Sequence, residues 1–119
     1  FNAADRRFTA DHDPDWPAFA CDDGFLVTAP VGTYAANALG MSDVLGNVAE
    51  LMADCFVAGH AGRPADGSAR TDPVCNARVY KGGSWAGEPG FMRPAFRVAA
   101  TPEVRGAGFG LRVLREIDE

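Results

Sequence analysis

Apolar residues in this chain come in short clusters separated by Gly, Pro and Asp, and no cluster is long. Residues 78–84, R-V-Y-K-G-G-S, alternate in the manner of a half-buried strand. The Gly82-Gly83 pair that follows predicts a bend or a close approach to a neighbouring backbone. Residues 108–115, G-F-G-L-R-V-L-R, predict a final strand, and residues 91–100, F-M-R-P-A-F-R-V-A-A, an extended segment. Residues 24–32, G-F-L-V-T-A-P-V-G, predict a short strand stopped by Pro30 and Gly32. Residues 48–54 suit a strand or one helical turn equally well. The Pro- and Asp-rich residues 1–23 predict loop with a short turn of helix around 4–10. Residues 37–41 predict a turn, after which Ser42 or Asp43 caps a short turn leading into L-G-N. The sum is a loop-rich α+β chain.

One apolar run carries an interruption. Residues 42–55 read S-D-V-L-G-N-V-A-E-L-M-A-D-C. Gly46 and Asn47 break regular structure, and the carboxylate of Glu50 follows within a run that reads as buried. A buried carboxylate requires a partner or a cation. An arginine is one partner, with Asn47 capping a turn; a metal ion is another.

Composition narrows the rest. The 119 residues make one domain, with a net charge of -5 and a pI near 4.9. That balance argues against nucleic acid and against an anionic membrane surface as general partners. There is no run of about 18 apolar residues, so no membrane-spanning helix is predicted. Cys21, Cys55 and Cys75 form no C-x-x-C, which excludes zinc-finger spacing. The residues leave two states open: three reduced thiols, or one disulfide and one leftover thiol.

Candidate catalytic chemistry is sparse. His12 and His60 lie in Asp- or Gly-rich loops, and nothing in the spacing builds a triad on Ser84. Asp11, Asp13 and Asp15 lack the Gly and Glu of a calcium-binding helix-loop-helix, and read as a solvated loop. Trp16, Trp85, Phe91 and Phe96 read as packing aromatics. Arg93, Arg97 and Arg105 either contact an anionic or peptide ligand or hold the backbone together.

Four stretches, taken in order, resemble one family: D-D-G-F-L-V-T-A-P-V-G (22–32), N-A-L-G-M-S-D-V-L-G-N-V-A-E (37–50), R-V-Y-K-G-G-S-W (78–85) and G-L-R-V-L-R (110–115). They are similar to the C-terminal half of the formylglycine-generating enzyme, or sulfatase-modifying-factor, family, a domain related to that of the ergothioneine-pathway sulfoxide synthases. The resemblance implies a C-type-lectin-like α+β fold with short antiparallel strands and little helix. It implies that residues 1–119 are the C-terminal portion of a single domain whose N-terminal half lies outside this chain.

The resemblance also implies calcium as cofactor, at two loop sites. The first takes the Asn2 side chain, the Ala3 carbonyl, the Asp23 side chain and the Phe25 carbonyl. The second takes carbonyls of Leu45, Gly46, Asn47 and Val48 and the carboxylate of Glu50. Calcium accepts six to eight oxygens, and irregular backbone supplies free carbonyls. A Cys55–Cys75 disulfide follows from the same resemblance, with Cys21 pairing upstream of Phe1, in the missing half. Such a bridge implies a periplasmic or secreted protein.

The family's oxidases bind copper through two cysteines after G-G-S-[YW]. Here residues 86–100 hold no cysteine, so conversion of cysteine to formylglycine is not expected. The first expectation is therefore a binding or accessory module that uses Trp85, Arg93, Arg97 and Arg105 toward a protein, peptide or small-molecule ligand. The alternatives are an oxidoreductase whose metal ligands lie in the N-terminal part, and a structural subunit of a larger assembly.

Overall fold

The computed structural model describes residues 1–115. Six elements follow one another. They are helix α1 (Arg6–Asp11), strands β1 (Ala49–Cys55) and β2 (Arg78–Lys81), a 3-10 turn at Pro89–Phe91, and strands β3 (Val98–Ala100) and β4 (Phe109–Leu111).

Helix α1 forms where a turn was predicted because Asp5 caps it. Asp5 Oδ1 accepts the backbone N–H groups of Arg7 (2.8 Å) and Phe8 (3.1 Å), satisfying two of the helix's orphan donors. Asp5 itself is fully buried, and its Oδ2 accepts the Asp23 N–H at 2.6 Å. A buried carboxylate is tolerable here because backbone donors surround it. Phe8 is the buried residue of the helix, and its ring meets those of His12, Trp16 and Trp85.

The strands form one sheet in the order β3-β2-β1-β4. The β1–β2 and β2–β3 pairings are antiparallel, but β1 pairs with β4 in parallel. The sheet is thus mixed, a point that the expectation of antiparallel strands did not include. Of residues 48–54, all but Val48 resolve as strand within β1, with Glu50 opposite Lys81 and Leu51 opposite Tyr80, and the register then shifts before Cys55 reaches Arg78.

Three expectations need correction. Residues 24–32 form bends and turns, with no strand. Their backbone groups are taken by side chains elsewhere: Val27 O accepts from Asn2, and Ala29 meets Asn47. Ser42 and Asp43 do not cap a turn into L-G-N, because the Asp43 side chain accepts from Gly32 N–H instead and residues 44–48 run as bends into β1. The segment 91–100 is extended only at β3, after the 3-10 turn.

The core is thin. Ala3, Ala4, Phe8, Ala29, Cys55, Val79, Met92 and Ala100 are its buried apolar members. The radius of gyration is 15.5 Å. A compact chain of this length would measure about 13.5 Å. Leu111, Val113 and Leu114, on and after β4, stand exposed.

Candidate functional site

The interrupted run is the structural hub. Gly46 and Asn47 both adopt left-handed backbone, with φ of 81° and 63°. Gly46 is required twice: by its φ, and because a Cβ there would lie 2.0 Å from the Asn2 carbonyl oxygen. The pair turns the chain so that three distant segments are stitched to it. Gly46 N–H donates to Gly82 O (2.8 Å), Asn47 N–H to Asn2 O (2.8 Å), and Trp85 N–H to Asn47 O (2.8 Å). The Asn47 side chain is buried and holds Ala29 at both of its backbone groups. The predicted close approach at Gly82-Gly83 is present. A Cβ on Gly83 would lie 2.1 Å from Met92 Sδ.

Glu50 meets Arg112. Both carboxylate oxygens accept from the guanidinium, Oε2 from Nε at 2.8 Å and Oε1 from Nη2 at 2.6 Å. The same Nη2 donates to Ser42 O. Hydrogen bonding to Glu50 raises the Arg112 pKa further. Sequence alone offered an arginine without saying which. The parallel register puts Glu50 opposite Gly110, which brings Arg112 two residues on along the same face.

Asp43 is the residue that sequence reading missed at this place. It has a φ of 58°, its Oδ2 accepts from Gly32 N–H (2.7 Å), and its Oδ1 is buried with no partner among the described residues. Asp43, Glu50, Asn47 and Arg112 line one cavity of about 220 Å³. An orphaned buried carboxylate oxygen suits a hard cation, but the Glu50 oxygens are taken by Arg112 and the Asn47 carbonyl by Trp85 N–H, which leaves the carbonyls of Leu45, Gly46 and Val48 as the further donors of the predicted set. No three His, Cys, Asp or Glu side chains converge among the described residues, so backbone oxygens would form most of such a shell. Its only sequence signal was an aspartate three residues before the glycine.

The first predicted loop site brings Asn2, Ala3, Asp23 and Phe25 together, and hydrogen bonds already clamp it. Asp23 Oδ2 accepts Ala3 N–H (2.9 Å), Asp23 Oδ1 accepts Phe25 N–H (2.9 Å), and Asn2 Nδ2 donates to Val27 O (2.7 Å). The second site is clamped as well, Glu50 by Arg112 and the Asn47 carbonyl by Trp85 N–H, and differs from the first in the one orphaned oxygen of Asp43.

Cys55 and Cys75 form a disulfide, and Cys21 is a free exposed thiol. Burial, followed by the nearby Asp5 and Asp23 charges, pushes the Cys21 thiol pKa up, away from ready reactivity. The predicted ligand residues separate. Arg93 and Arg97 line one cavity with Phe56 and His60. Arg105 bonds its own loop through Pro102 O and Val104 O, and Trp85 Nε1 donates to Ala107 O.

These features agree with known proteins. The family model described as sulfatase-modifying factor enzyme 1-like domain matches residues 2–117. The formylglycine-generating enzyme of Thermomonospora curvata is 37% identical over 99 residues, covering 76% of this chain and 32% of the relative. That of Streptomyces coelicolor is 30% identical over 100 residues, covering 82% and 32%. The chain thus spans about a third of the length of these relatives. Among solved structures, PvdO from Pseudomonas aeruginosa superposes with a TM-score of 0.72 at 38% identity, over 78% of this chain and 36% of that one. Treponema denticola variable protein 1 superposes with a TM-score of 0.61 at 33% identity, over 71% and 31%. With the family's motifs in order, its loop-rich α+β fold and a matching model over nearly the whole length, this chain belongs to the sulfatase-modifying factor enzyme 1-like domain family.

Proposed function

We propose that the chain is a calcium-stabilised, disulfide-stapled binding or accessory module of its family, without thiol-based copper chemistry of its own. The observation that carries this reading is the fate of the cysteines. Residues 86–100 contain none, Cys55 and Cys75 are bonded to each other, and Cys21 is single. A copper thiolate pair needs two free sulfurs close together. Support for calcium is the buried, unpartnered Asp43 oxygen beside Glu50. When bound, calcium supplies charge to that oxygen and a link between residues 42–48 and β1.

The disulfide favours a periplasmic or secreted location. The exposed Leu111, Val113 and Leu114, on a chain that spans a third of its relatives, favour further sequence of the same domain as the first partner. A second reading rests on the names of the two curated relatives, both formylglycine-generating enzymes. In it, this chain supplies substrate contacts to an oxidoreductase whose metal ligands lie elsewhere.

Intact mass under native and then reducing, denaturing conditions, with elemental analysis for calcium, copper and iron, separates the two. Calcium without copper or iron, with one internal disulfide, is the expected result. Stoichiometric copper or iron overturns the accessory reading in favour of the oxidoreductase.

A further inference from the structure

Positive charge gathers at one place on this acidic chain. Arg93, Arg97 and His60 line a single open cavity of about 330 Å³ together with Phe56 and Phe96. Arg63 joins them, its Nη1 lying 3.4 Å from His60 Nδ1. The chain as a whole carries -5, so this concentration is local. The ion pairs among the described residues are Arg7–Asp22, His12–Asp11, Arg70–Asp72 and Arg112–Glu50, so none involves Arg63, Arg93, Arg97 or His60.

Arg97 is fixed without being neutralised. Its Nη1 donates to Val57 O (3.1 Å) and Gly59 O (2.5 Å), and its guanidinium lies 5.5 Å from the centre of the Phe56 ring. Backbone carbonyls and an aromatic face orient a cation while leaving its charge to act. Arg93 is exposed, and its bond among the described residues is through its backbone carbonyl, which accepts Phe96 N–H, so its guanidinium is uncommitted there. The field of this cluster reaches Lys81: burial first, then Arg97 and Arg63, lower its pKa from the ordinary lysine value. Phe56, Ala95 and Phe96 make the apolar part of the wall, and Phe96 is stacked on Phe91 at 4.7 Å between ring centres.

We propose that this cavity binds a phosphate-type dianion carried on a small aromatic or apolar body. Arg93 and Arg97 are its fork donors, Arg63 adds charge at the rim, and Phe56 and Phe96 receive the body. A guanidinium fork matches two oxygens of a tetrahedral oxyanion. Two guanidiniums and a third at the rim leave surplus charge against a single carboxylate, which selects for the dianion. The inference rests on the binding-module reading and names the ligand class of that module.

The test is titration of the full chain with phenyl phosphate, followed by calorimetry and backbone amide NMR, with inorganic phosphate and benzoate as comparators. Phenyl phosphate should bind saturably and more tightly than either comparator, shift amides of residues 56–63 and 93–97, and weaken as salt is added. Arg93→Gln should lower affinity about tenfold, the worth of one charge-assisted fork. Its melting temperature should hold, since Arg93 ties down no other segment. Arg63→Gln is the second variant, with a smaller loss in the same direction. No saturable phenyl phosphate binding, binding unchanged in both variants, or benzoate bound as tightly overturns the site. This outcome is distinct from failure of the module reading: copper or iron in the protein sinks that reading whether or not phenyl phosphate binds.

Discussion

The carboxamide of Asn47 holds both backbone groups of Ala29, accepting its N–H through Oδ1 and donating to its C=O through Nδ2, each at 3.0 Å. The two residues lie 18 positions apart, and Asn47 is 4% exposed. With Asn2, which donates to Val27 O, this side chain stands in for part of the ladder that residues 24–32 do not form. Asn47→Ala removes both bonds, strands two buried backbone groups and keeps the strain of φ 63°. The expected loss is about 2–4 kcal/mol. Urea unfolding of the variant checks it; a loss below about 1 kcal/mol, the size of one ordinary hydrogen bond, contradicts the hub role.

Gly46→Ala should be worse. The new Cβ would overlap the Asn2 carbonyl oxygen, which is backbone and has little room to yield, and the φ of 81° adds strain. Loss of soluble folded protein is expected. Gly24→Ala is the matched control: its φ is 92° but nothing lies within 4 Å of the added Cβ. There only the left-handed penalty of about 1–2 kcal/mol applies. Equal effects at the two positions would mean that φ, and not the contact with Asn2, sets the requirement.

The Cys55–Cys75 bridge closes 20 residues of Gly-, Ala- and Pro-rich sequence. Apart from the bridge, this loop is held chiefly by Arg70, which bonds Asp72 and Ala61 O and passes its carbonyl to Cys55 N–H. Reduction should cost about 3 kcal/mol on the chain-entropy estimate. Limited proteolysis should then cut first within 56–74, and only in the presence of reductant. Cleavage elsewhere, or no change on reduction, contradicts the staple.

Much of this arrangement was legible in the residues, in proportion to how local its cause is. The alternation of 78–81, the double glycine behind it and the short helical turn around 4–10 act within a few positions, and the structure follows them. The strand expected at 24–32 failed because side chains far away in sequence, Asn2 and Asn47, claim its backbone. The partner of Glu50 was open for a similar reason: a parallel pairing 60 residues away brings Arg112 to it. Asp43 gave no local sign of its buried oxygen. The ligand residues split because Arg97 and Arg93 share a cavity through loop closure by Val57 and Gly59, whereas Arg105 folds back on its own turn.

Arg112 offers a test of what Glu50 needs. The pair is bidentate, with Glu50 largely shielded and Arg112 more exposed. Arg112→Met should cost about 1 kcal/mol without added metal, discounted for solvent access to the arginine. Removing the arginine leaves Glu50 beside the Asp43 carboxylate, so added calcium should raise the melting temperature of the variant more than that of the wild type. An equal calcium response in both, measured by differential scanning fluorimetry against EGTA, separates the cation site from Glu50.

The last prediction concerns acid. Asp22 accepts from Arg7 Nε and Nη2, both at 3.1 Å, and from the Gly24 N–H at 2.9 Å. The bond from Arg7, followed by that from Gly24, holds the Asp22 carboxyl below the ordinary aspartate value. A folded-state pKa below the unfolded one favours the folded state above the unfolded pKa. That contribution is lost as pH falls through the native pKa. Carbon-detected NMR titration should therefore place the Asp22 midpoint below that of a model aspartate, and Arg7→Ala should move it upward. Because both side chains are about half exposed, the shift should shrink with salt. A midpoint unmoved by Arg7→Ala would assign the shift to the Gly24 turn alone.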